Sequence, residues 1–317
     1  TGAKKGTQDQ ILGDYYASFT DMDTRNSLGI KPIHEDLEQI KFIKSKELIA
    51  AQIGTMHMYG IRTAFGFGVG QDLKNVEKHI TYFGQSGLGL PNKTYYFDET
   101  KQEIRDAYKK HILKVFALYG ESEENAAKIS EEILRFETRL ATSMLEPAEM
   151  RVPELTYNKY AKKTFLKEFG TFDFEKYLTK IGYSEFDTLI VSNPKFVTAL
   201  SEIYETESVD MWKNYLTWCT LNHYAGSLDA NFEKLNFMFY EKTLSGKKEM
   251  KSITDRAIDE ITGMSFGELL GKAFVDKHFS EEAKDRVNSM VDNLLAVYGE
   301  RINQLDWMTD ETKKERN

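Results

Sequence analysis

The sequence predicts a mainly α-helical protein with only a few short strands. Its 317 residues contain just five prolines, so long segments lack the residue that breaks a helix interior. Within these segments apolar residues recur at three- and four-residue steps, which is the spacing of one helix face. Alternation typical of strands is restricted to two short segments. Helices therefore dominate the expected architecture.

The clearest helices are predicted to follow Ser122 and Ser280. Both serines are favourable N-caps, and each is followed by two glutamates that suit the positive end of a helix dipole. An apolar stripe then continues through each helix, for about six turns in the second. The stripes are Ile129, Ile133, Phe136 and Leu140 after Ser122, and Ala283, Val287, Met290, Leu294, Val297 and Ile302 after Ser280.

The remaining elements have weaker patterns. Amphipathic helices are expected at about 99–118, 157–169, 172–180, 208–228 and 255–279. The two strand candidates, Thr63–Val69 and Thr188–Val191, are too few for a sheet domain, and Gly87–Pro91 is expected to be a turn-rich connector. Residues 309–317 resemble the first turns of a helix capped by Thr309, which we interpret as a sign of truncation.

Composition excludes several classes of protein. With 41% hydrophobic and 29% charged residues the chain is an ordinary globular protein, and its length suggests about two domains. A net charge of −8 argues against a nucleic-acid partner. The longest uncharged stretch, 214–228, is too short and polar to cross a membrane. The single cysteine, Cys219, cannot form an intrachain disulfide or a cysteine-based zinc site, and it is expected to be a buried packing residue.

No zinc or catalytic motif is complete in this sequence. Helical zinc hydrolases place two histidines four residues apart with a glutamate between them. The closest histidines here, His57 and His79, are 22 positions apart, and the segment His34–Glu38 ends in glutamate where that motif needs histidine. We therefore predict no catalytic and no metal-ligating residue, and we assign no substrate-binding residue. The full set of histidines is His34, His57, His79, His111, His223 and His278.

Two other patterns have ordinary structural interpretations. Gly66–Gly70 lacks the spacing and the following helix of a dinucleotide loop, so close backbone packing is expected there. Glu132 and Glu137 could suggest paired catalytic acids. However, Glu137 lies on the apolar stripe, which predicts a buried ion pair, for example with Arg139 or Arg151.

Several segments together resemble the neprilysin and endothelin-converting enzyme family of zinc metallopeptidases, including its bacterial oligopeptidase members. The resemblance extends over about residues 70–300 and more loosely over the whole chain. It is carried by Asp72–Asn75, Ser86–Pro91, Tyr95 and Tyr96, Glu137 with Leu140 and Ala141, Arg151–Asn158, Tyr215–Trp218, Phe237–Tyr240, Leu244–Gly246, Phe266–Gly271, Phe274 and Val275, Leu305–Met308, and Thr312 with Lys313.

The sequence also departs from this family. Ser252–Thr254 stands where a Pro-Arg-Trp stretch is usual, and Arg316 stands where alanine is frequent. The family's His-Glu-x-x-His helix, its third zinc ligand and its Asn-Ala-x-Tyr strand would follow residue 317, and its substrate-binding arginine segment would precede residue 1. No zinc-binding or catalytic residue of the family can therefore be assigned to a position of this chain.

The resemblance implies the N-terminal region of a two-domain gluzincin peptidase. Residues 1–317 would form mostly the helical lid domain, about 150–195 would contact the catalytic domain, and that domain would lie beyond 317. The implied function is zinc-dependent hydrolysis of short peptides, with this chain as chamber wall and size-selecting lid. The implied partners are peptide substrates and the catalytic domain of the same polypeptide, with zinc bound by the full-length parent and not by this chain.

Two further expectations complete this interpretation. Family habit implies an extracytoplasmic location, either periplasmic or as a membrane-anchored ectodomain. The alternative function is a non-catalytic helical homologue that binds peptides or a partner protein. An extended native sequence with two histidines on one helix would favour the enzyme.

Overall fold

Helices occupy most of the chain in the computed structural model, which describes residues 2–264 and 266–316. This confirms the mainly α-helical class. The α-helices are α1 (Gln8–Thr20), α2 (Met22–Leu28), α3 (His34–Lys41), α4 (Lys46–Met58), α5 (Thr94–Phe97), α6 (Gln102–Tyr119), α7 (Glu123–Thr142), α8 (Pro153–Thr156), α9 (Lys162–Phe169), α10 (Phe174–Lys180), α11 (Pro194–Thr206), α12 (Val209–Tyr224), α13 (Ala230–Asn236), α14 (Ile253–Gly263), α15 (Gly267–His278), α16 (Glu281–Asn303) and α17 (Asp310–Arg316). A π-helical segment, Phe237–Leu244, continues α13.

The described residues separate into two compact units. The larger unit is Met22–Met250, and the smaller one combines residues of 1–21 with residues of 251–317. No helix within the described residues has both the length and the apolar composition needed to cross a bilayer.

Helix α7 confirms the prediction made from Ser122. The Ser122 hydroxyl accepts a hydrogen bond from the Asn125 backbone N–H at 3.2 Å, which is N-cap geometry. The predicted apolar stripe is buried along its whole length in the larger unit. Local sequence pattern and tertiary packing agree here, so this helix could be predicted with its correct start and its correct buried face.

A four-stranded sheet in the larger unit was only half predicted. Its strands are β1 (Phe65–Asp72), β2 (Asn75–Gln85), β3 (Asn158–Ala161) and β4 (Thr188–Val191), in the order β1-β2-β4-β3. β1 and β2 form an antiparallel hairpin, β2 and β4 are parallel, and β3 and β4 are antiparallel. The candidates for β1 and β4 were correct. β2 and β3 were not predicted, and they pair with the two candidates to form one small sheet within the mainly helical fold.

Two predicted helices are wrong in part. Residues 158–161 form strand β3 instead of the first turn of a helix, because their backbone pairs with β4 over Asn158–Val191 and Ala161–Thr188. The expected single helix over 255–279 is divided into α14 and α15, with glycines at both sides of the break, Gly263 and Gly267. Glycine disfavours a helix interior by about 1 kcal/mol relative to alanine, which favours an interruption there.

Helix α16 has the predicted start but an exposed apolar stripe. The Ser280 hydroxyl accepts from the Ala283 N–H at 3.2 Å, as expected for the N-cap. No residue of this helix is buried in the structure. Met290 and Leu294 are 63% and 58% exposed, and the neighbouring Leu295 and Tyr298 are each 63% exposed. This apolar face therefore has no covering element within the described residues of the smaller unit.

Aromatic side chains form the core between the sheet and α10. The rings of Phe65 and Phe83, on adjacent strands, stack with centroids 4.8 Å apart. Phe174 and Tyr177 of α10 contact them edge-on, at 5.2 Å from Phe83 and 4.9 Å from Phe65. Such pairs add about 0.5–1.5 kcal/mol each beyond their area burial. The hairpin is thereby held against α10.

Candidate functional site

The candidate site begins with the tightly packed loop Gly87–Pro91. Gly87 has a φ of +98°, and a Cβ there would lie 2.6 Å from the Tyr215 hydroxyl and 2.7 Å from the Cα of Ala64. At Gly89 a Cβ would overlap the hydroxyl of Tyr108. Both positions need glycine for conformation or for space. The predicted connector is thus an ordered loop seated on α6 and α12.

Beneath this loop a carboxylate is held by tyrosine hydroxyls. Glu137 of α7 is 1% exposed. Tyr96 donates a hydrogen bond to its Oε2 at 2.7 Å, and Tyr108 donates to the same carboxylate at 3.0 Å. The Leu90 backbone N–H donates to the Tyr96 hydroxyl at 3.1 Å, and the Trp218 indole donates to the Tyr108 hydroxyl at 3.0 Å. These hydrogen bonds therefore connect the loop and four helices, α5, α6, α7 and α12, around one buried acid.

Burial sets the electrostatics of this network. Desolvation raises the pKa of Glu137 to about 7, and the hydrogen bonds from both tyrosines oppose that rise. The pKa of each tyrosine hydroxyl is raised well above 10, because burial and the adjacent carboxylate both disfavour the phenolate. The tyrosines therefore remain donors, and Glu137 exchanges a proton near neutral pH.

The predicted ion pair of Glu137 is wrong. The burial of Glu137 was predicted correctly, but the hydrogen-bond partners of its carboxylate are hydroxyl groups. Arg139 projects elsewhere and, together with Arg135, forms an ion pair with Glu207 at the end of α11. Arg151 is exposed and lies in a short 3-10 turn. Phenolic donors satisfy a buried carboxylate without bringing a second charge out of water.

A cavity of about 750 Å³ opens beside this network in the larger unit. The loop Gly87–Pro91 and Glu137 form part of its wall. Trp218 and Asn222 of α12 form another part, and the Asn222 amide donates to the Tyr240 hydroxyl at 2.9 Å. Ligand pockets typically measure about 300–1,000 Å³, so this cavity has the size for a small organic ligand or a peptide end.

Two cationic side chains and a histidine border the cavity. They are Arg62, Lys93 and His223. The Lys93 ammonium donates to the Met144 carbonyl at 3.0 Å, whereas Arg62 is exposed. Burial lowers the pKa of His223, and the positive charge of Arg62 lowers it further. The imidazole therefore favours its neutral form beside two positive charges.

A second polar cluster ties the hairpin to β3. Asp72, at the end of β1, accepts from the Tyr157 hydroxyl at 2.7 Å and from the Lys159 ammonium at 3.0 Å. These hydrogen bonds, led by the one from Tyr157, lower the pKa of Asp72 to about 2. The Lys74 ammonium lies over the Tyr157 ring at 4.7 Å from its centroid. We interpret this cluster as a structural clamp.

The histidines are separate from one another. His57 lies between the Tyr177 hydroxyl, 2.8 Å from its Nδ1, and the Thr63 hydroxyl, 2.7 Å from its Nε2. His111 stacks on Phe239 with centroids 5.1 Å apart. Burial lowers the pKa of both imidazoles to about 4. Neutral histidines with packing or hydroxyl partners fit a structural role.

The described residues also offer no zinc site. No group of three or more histidine, cysteine, aspartate or glutamate side chains within 2–264 and 266–316 could hold a metal ion. Burial raises the pKa of the Cys219 thiol, which is only partly exposed on α12, so this group is not poised as a nucleophile or thiolate ligand. The donor set therefore does not fit zinc, and no catalytic step can be derived through a metal on these residues.

Gly66–Gly70 lies within strand β1, and no helix follows it directly. The expected close packing holds at Gly70, where a Cβ would lie 3.2 Å from the Tyr82 ring. Close packing was not found at Gly68, where an added Cβ would face open space.

These features describe a mainly helical protein with an apolar core, a buried polar network around Glu137 and a cavity beside it. Comparisons with known proteins identify its family. The family model of peptidase family M13, for its N-terminal part, matches residues 1–316. The chain therefore belongs to peptidase family M13, and the resemblance seen in its segments is confirmed.

Relatives agree with this assignment. The chain is 27% identical to a neutral endopeptidase of Lactobacillus helveticus over 299 residues, covering 94% of the chain and 46% of that protein. It is 25% identical to human endothelin-converting enzyme 1 over 313 residues, covering 95% of the chain and 40% of that protein. The inhibitor complex of Mycobacterium tuberculosis zinc metalloprotease Zmp1 matches with a TM-score of 0.90 and 31% identity, covering 99% of the chain and 48% of Zmp1. The chain thus spans less than half the length of these relatives.

The structure shows what several family-like segments do. Ser86–Pro91, Tyr96, Glu137 and Trp218 meet in the network around the buried carboxylate. The segments at Asp72 and Tyr157 meet in the clamp. Residue pattern alone did not reveal the three cavity residues Arg62, Lys93 and His223, because they come from separate segments and share no motif.

Proposed function

We propose that the protein carrying this chain is a zinc-dependent metalloendopeptidase that hydrolyses short peptides. Residues 1–317 would supply part of the chamber wall and a size-selecting lid. Membership of peptidase family M13 over residues 1–316 carries the proposal. The names of the relatives, a neutral endopeptidase and a zinc metalloprotease, support the same reaction class.

The role of wall and lid is supported by the construction of the larger unit. Its polar groups are used to fix a loop and to border a cavity, and its buried histidines are neutral and engaged in packing. Such a unit can orient a peptide and exclude water around it, whereas bond cleavage requires groups from elsewhere in the protein. In the parent, bound zinc would activate the water that attacks the peptide bond.

The proposed partner within the same polypeptide is the catalytic domain, placed beyond residue 317. The relatives are about twice as long as this chain, which leaves ample length for that domain. The exposed apolar face of α16, with Met290 and Leu294, offers a surface for it, and Phe274 of α15 is also 59% exposed. Contiguous exposed apolar side chains mark surfaces that are covered by another element. The segment 150–195 is a second proposed contact, and the proposed location of the protein is extracytoplasmic.

The reaction is tested with a mixed set of fluorogenic peptides. The full gene product and the 317-residue chain are assayed in parallel, with and without a metal chelator. Cleavage by the full product alone, abolished by the chelator and restored by zinc, is expected. Absence of cleavage by either protein would favour the non-catalytic peptide- or partner-binding homologue.

Size selection needs a second series of substrates. Peptides with one shared scissile sequence, extended in steps from about six to about sixty residues, would be compared by kcat/KM. A lid predicts a steep loss of kcat/KM beyond a limiting length. An even kcat/KM across the series would refute the lid role while leaving the enzyme class intact.

A further inference from the structure

Glu137 is a buried acid without a cationic partner among the described residues. It forms no ion pair with them, and the two arginines that flank it on α7, Arg135 and Arg139, bind Glu207 instead. Its carboxylate accepts hydrogen bonds from neutral tyrosine hydroxyls. Neutral donors lower the cost of burying a negative charge, but they do not cancel it as a cation would.

The ionisable groups that face Glu137 from other described elements are uncharged near neutral pH. They are four tyrosine hydroxyls and one thiol, contributed by α5, α6, α12 and the π-helical segment. Burial raises the pKa of each group, and the negative charge of Glu137 raises it further. These residues are Tyr96, Tyr108, Tyr215, Cys219 and Tyr240.

The basic groups nearby do not neutralise Glu137 either. Arg62 and Lys93 line the same cavity, but within the described part of the chain neither forms an ion pair with it. Burial lowers the pKa of His223 in the cavity wall, and it lowers the pKa of His111 on α6 to about 4. The carboxylate of Glu137 is therefore a buried, uncompensated charge whenever it is ionised.

The loop Gly87–Pro91 packs over the Glu137 network and forms part of the same cavity wall. It contains no residue of a helix or strand. It is attached to the helices by the Tyr215 hydroxyl, which donates to the Gly87 carbonyl at 2.8 Å, and by the Leu90 N–H, which donates to a tyrosine of the network. Displacing this loop breaks few hydrogen bonds, so it costs less than displacing α6, α7 or α12.

Opening of the loop is coupled to proton release from Glu137. In the closed structure burial raises the pKa of Glu137 to about 7, whereas a carboxyl group that water reaches returns towards its ordinary value of 4.5. The closed loop therefore binds the proton more tightly than the open loop does. The stabilisation of the closed loop is complete below pH 4.5 and is lost as pH rises through 7.

We propose that Glu137 is a pH-sensitive switch for the loop Gly87–Pro91. Its protonated form keeps the loop closed beside the cavity, and its ionisation favours an open loop that lets water reach the carboxylate. Access to the cavity would then be greater on the alkaline side of neutrality. The proposal goes beyond the proposed function and does not depend on it, because it rests on burial and hydrogen bonds within this chain.

Hydrogen–deuterium exchange of the backbone amides 87–90 measures loop opening directly. The full gene product would be studied from pH 6 to pH 9, with each rate corrected for the intrinsic pH dependence of amide exchange. With pKa values of about 7 in the closed state and about 4.5 in the open state, the protection factors of these amides should fall about tenfold between pH 6 and pH 8. They should change by less than about twofold between pH 8 and pH 9, where Glu137 is already ionised in both states.

Variants and urea assign this change to Glu137 and to the loop. Glu137→Gln should abolish the fall in protection, because the amide does not titrate. Glu131→Gln, on the exposed face of α7, is the matched control and should behave as the wild type does. Urea below the unfolding transition should accelerate exchange in α7 more than in the loop, since local opening exposes little surface. Circular dichroism checks that both variants are folded, and the wild-type pH series stands without them.

Three results would overturn the proposal. The first is loop protection that does not change between pH 6 and pH 8. The second is a fall in protection that Glu137→Gln retains. The third is loop exchange with the same urea dependence as α7, because the loop would then open only when the whole unit unfolds. None of these results depends on whether the protein cleaves peptides, so failure of the switch and failure of the proposed function are distinguishable.

Discussion

Replacing Glu137 with glutamine should remove a distinct pH dependence of stability. The folded-state pKa of about 7 lies above the ordinary value of 4.5, so the folded protein binds this proton more tightly than the unfolded chain does. The contribution of this group to stability is therefore complete below pH 4.5 and is lost as pH rises through 7. Glutamine cannot titrate, so the variant lacks this dependence.

The size of the effect follows from the two pKa values. They differ by about 2.5 pH units, and each unit corresponds to about 1.4 kcal/mol, which sets an upper limit of about 3–4 kcal/mol. Between pH 5 and pH 8 the free energy of unfolding of the wild type should fall by about 2–3 kcal/mol more than that of Glu137→Gln. At pH 5 the two proteins should have similar stability, because the protonated Glu137 carboxyl and the glutamine amide each present one acceptor oxygen and one donor group to the tyrosine hydroxyls.

Urea unfolding at pH 5, 6, 7 and 8 measures this difference. Tryptophan fluorescence is a suitable signal, since Trp212 and Trp218 are buried in the larger unit whereas Trp307 is 73% exposed. Glu131→Gln, on the exposed face of the same helix, is the matched control. A constant difference between wild type and Glu137→Gln across this pH range would refute the buried, proton-exchanging carboxylate.

Further predictions concern the structural polar groups and the loop. Glu207→Ala should destabilise the protein by about 1–2 kcal/mol in urea unfolding, because two arginines of α7 lose their buried partner but stay partly hydrated. The control Glu202→Ala changes an exposed residue of α11 and should alter stability by less than about 0.5 kcal/mol. Gly87→Ala should lower the free energy of unfolding by about 1–3 kcal/mol through its positive φ and its close contacts, whereas Gly68→Ala, in open space, should be nearly neutral; equal effects would refute the packing argument. The pKa of Asp72 is lowered to about 2, so its contribution to stability is present above pH 3.8 and is lost as pH falls through 2. The melting temperature of Asp72→Asn should therefore fall less than that of the wild type between pH 5 and pH 2. Parallel falls in the two melting temperatures would contradict this.

Local sequence pattern predicted the helices whose N-cap and apolar stripe are both formed by residues close together in the sequence. In α7 the cap at Ser122 and the stripe through Phe136 both reflect neighbouring residues, so no distant information was needed. Strand β3 was missed because its pairing partner, β4, lies about thirty residues further along the chain. The α16 stripe shows the opposite case, since an amphipathic pattern predicts a helix without identifying the element that covers it.

The candidate site was accessible from the sequence only in part. Glu137 could be predicted as buried, since a charged residue interrupts an apolar stripe there. Its partners could not be predicted, because Tyr108 and Tyr96 precede it by 29 and 41 residues and tyrosine has no spacing rule with glutamate. The expected ion pair with an arginine was wrong, although arginine is the usual partner of a carboxylate in buried ion pairs.

Zinc content tests whether the metal site of the proposed peptidase lies outside residues 1–317. The full gene product and the 317-residue chain would be purified identically, dialysed against the same buffer and measured by mass spectrometry of the metal against protein concentration. We expect about one tightly bound zinc per full-length protein and no stoichiometric zinc in the chain, whose described residues hold no metal-ligand cluster. One zinc per 317-residue chain, or none in an active full-length protein, would refute the proposed division between a zinc-binding catalytic domain and this chain.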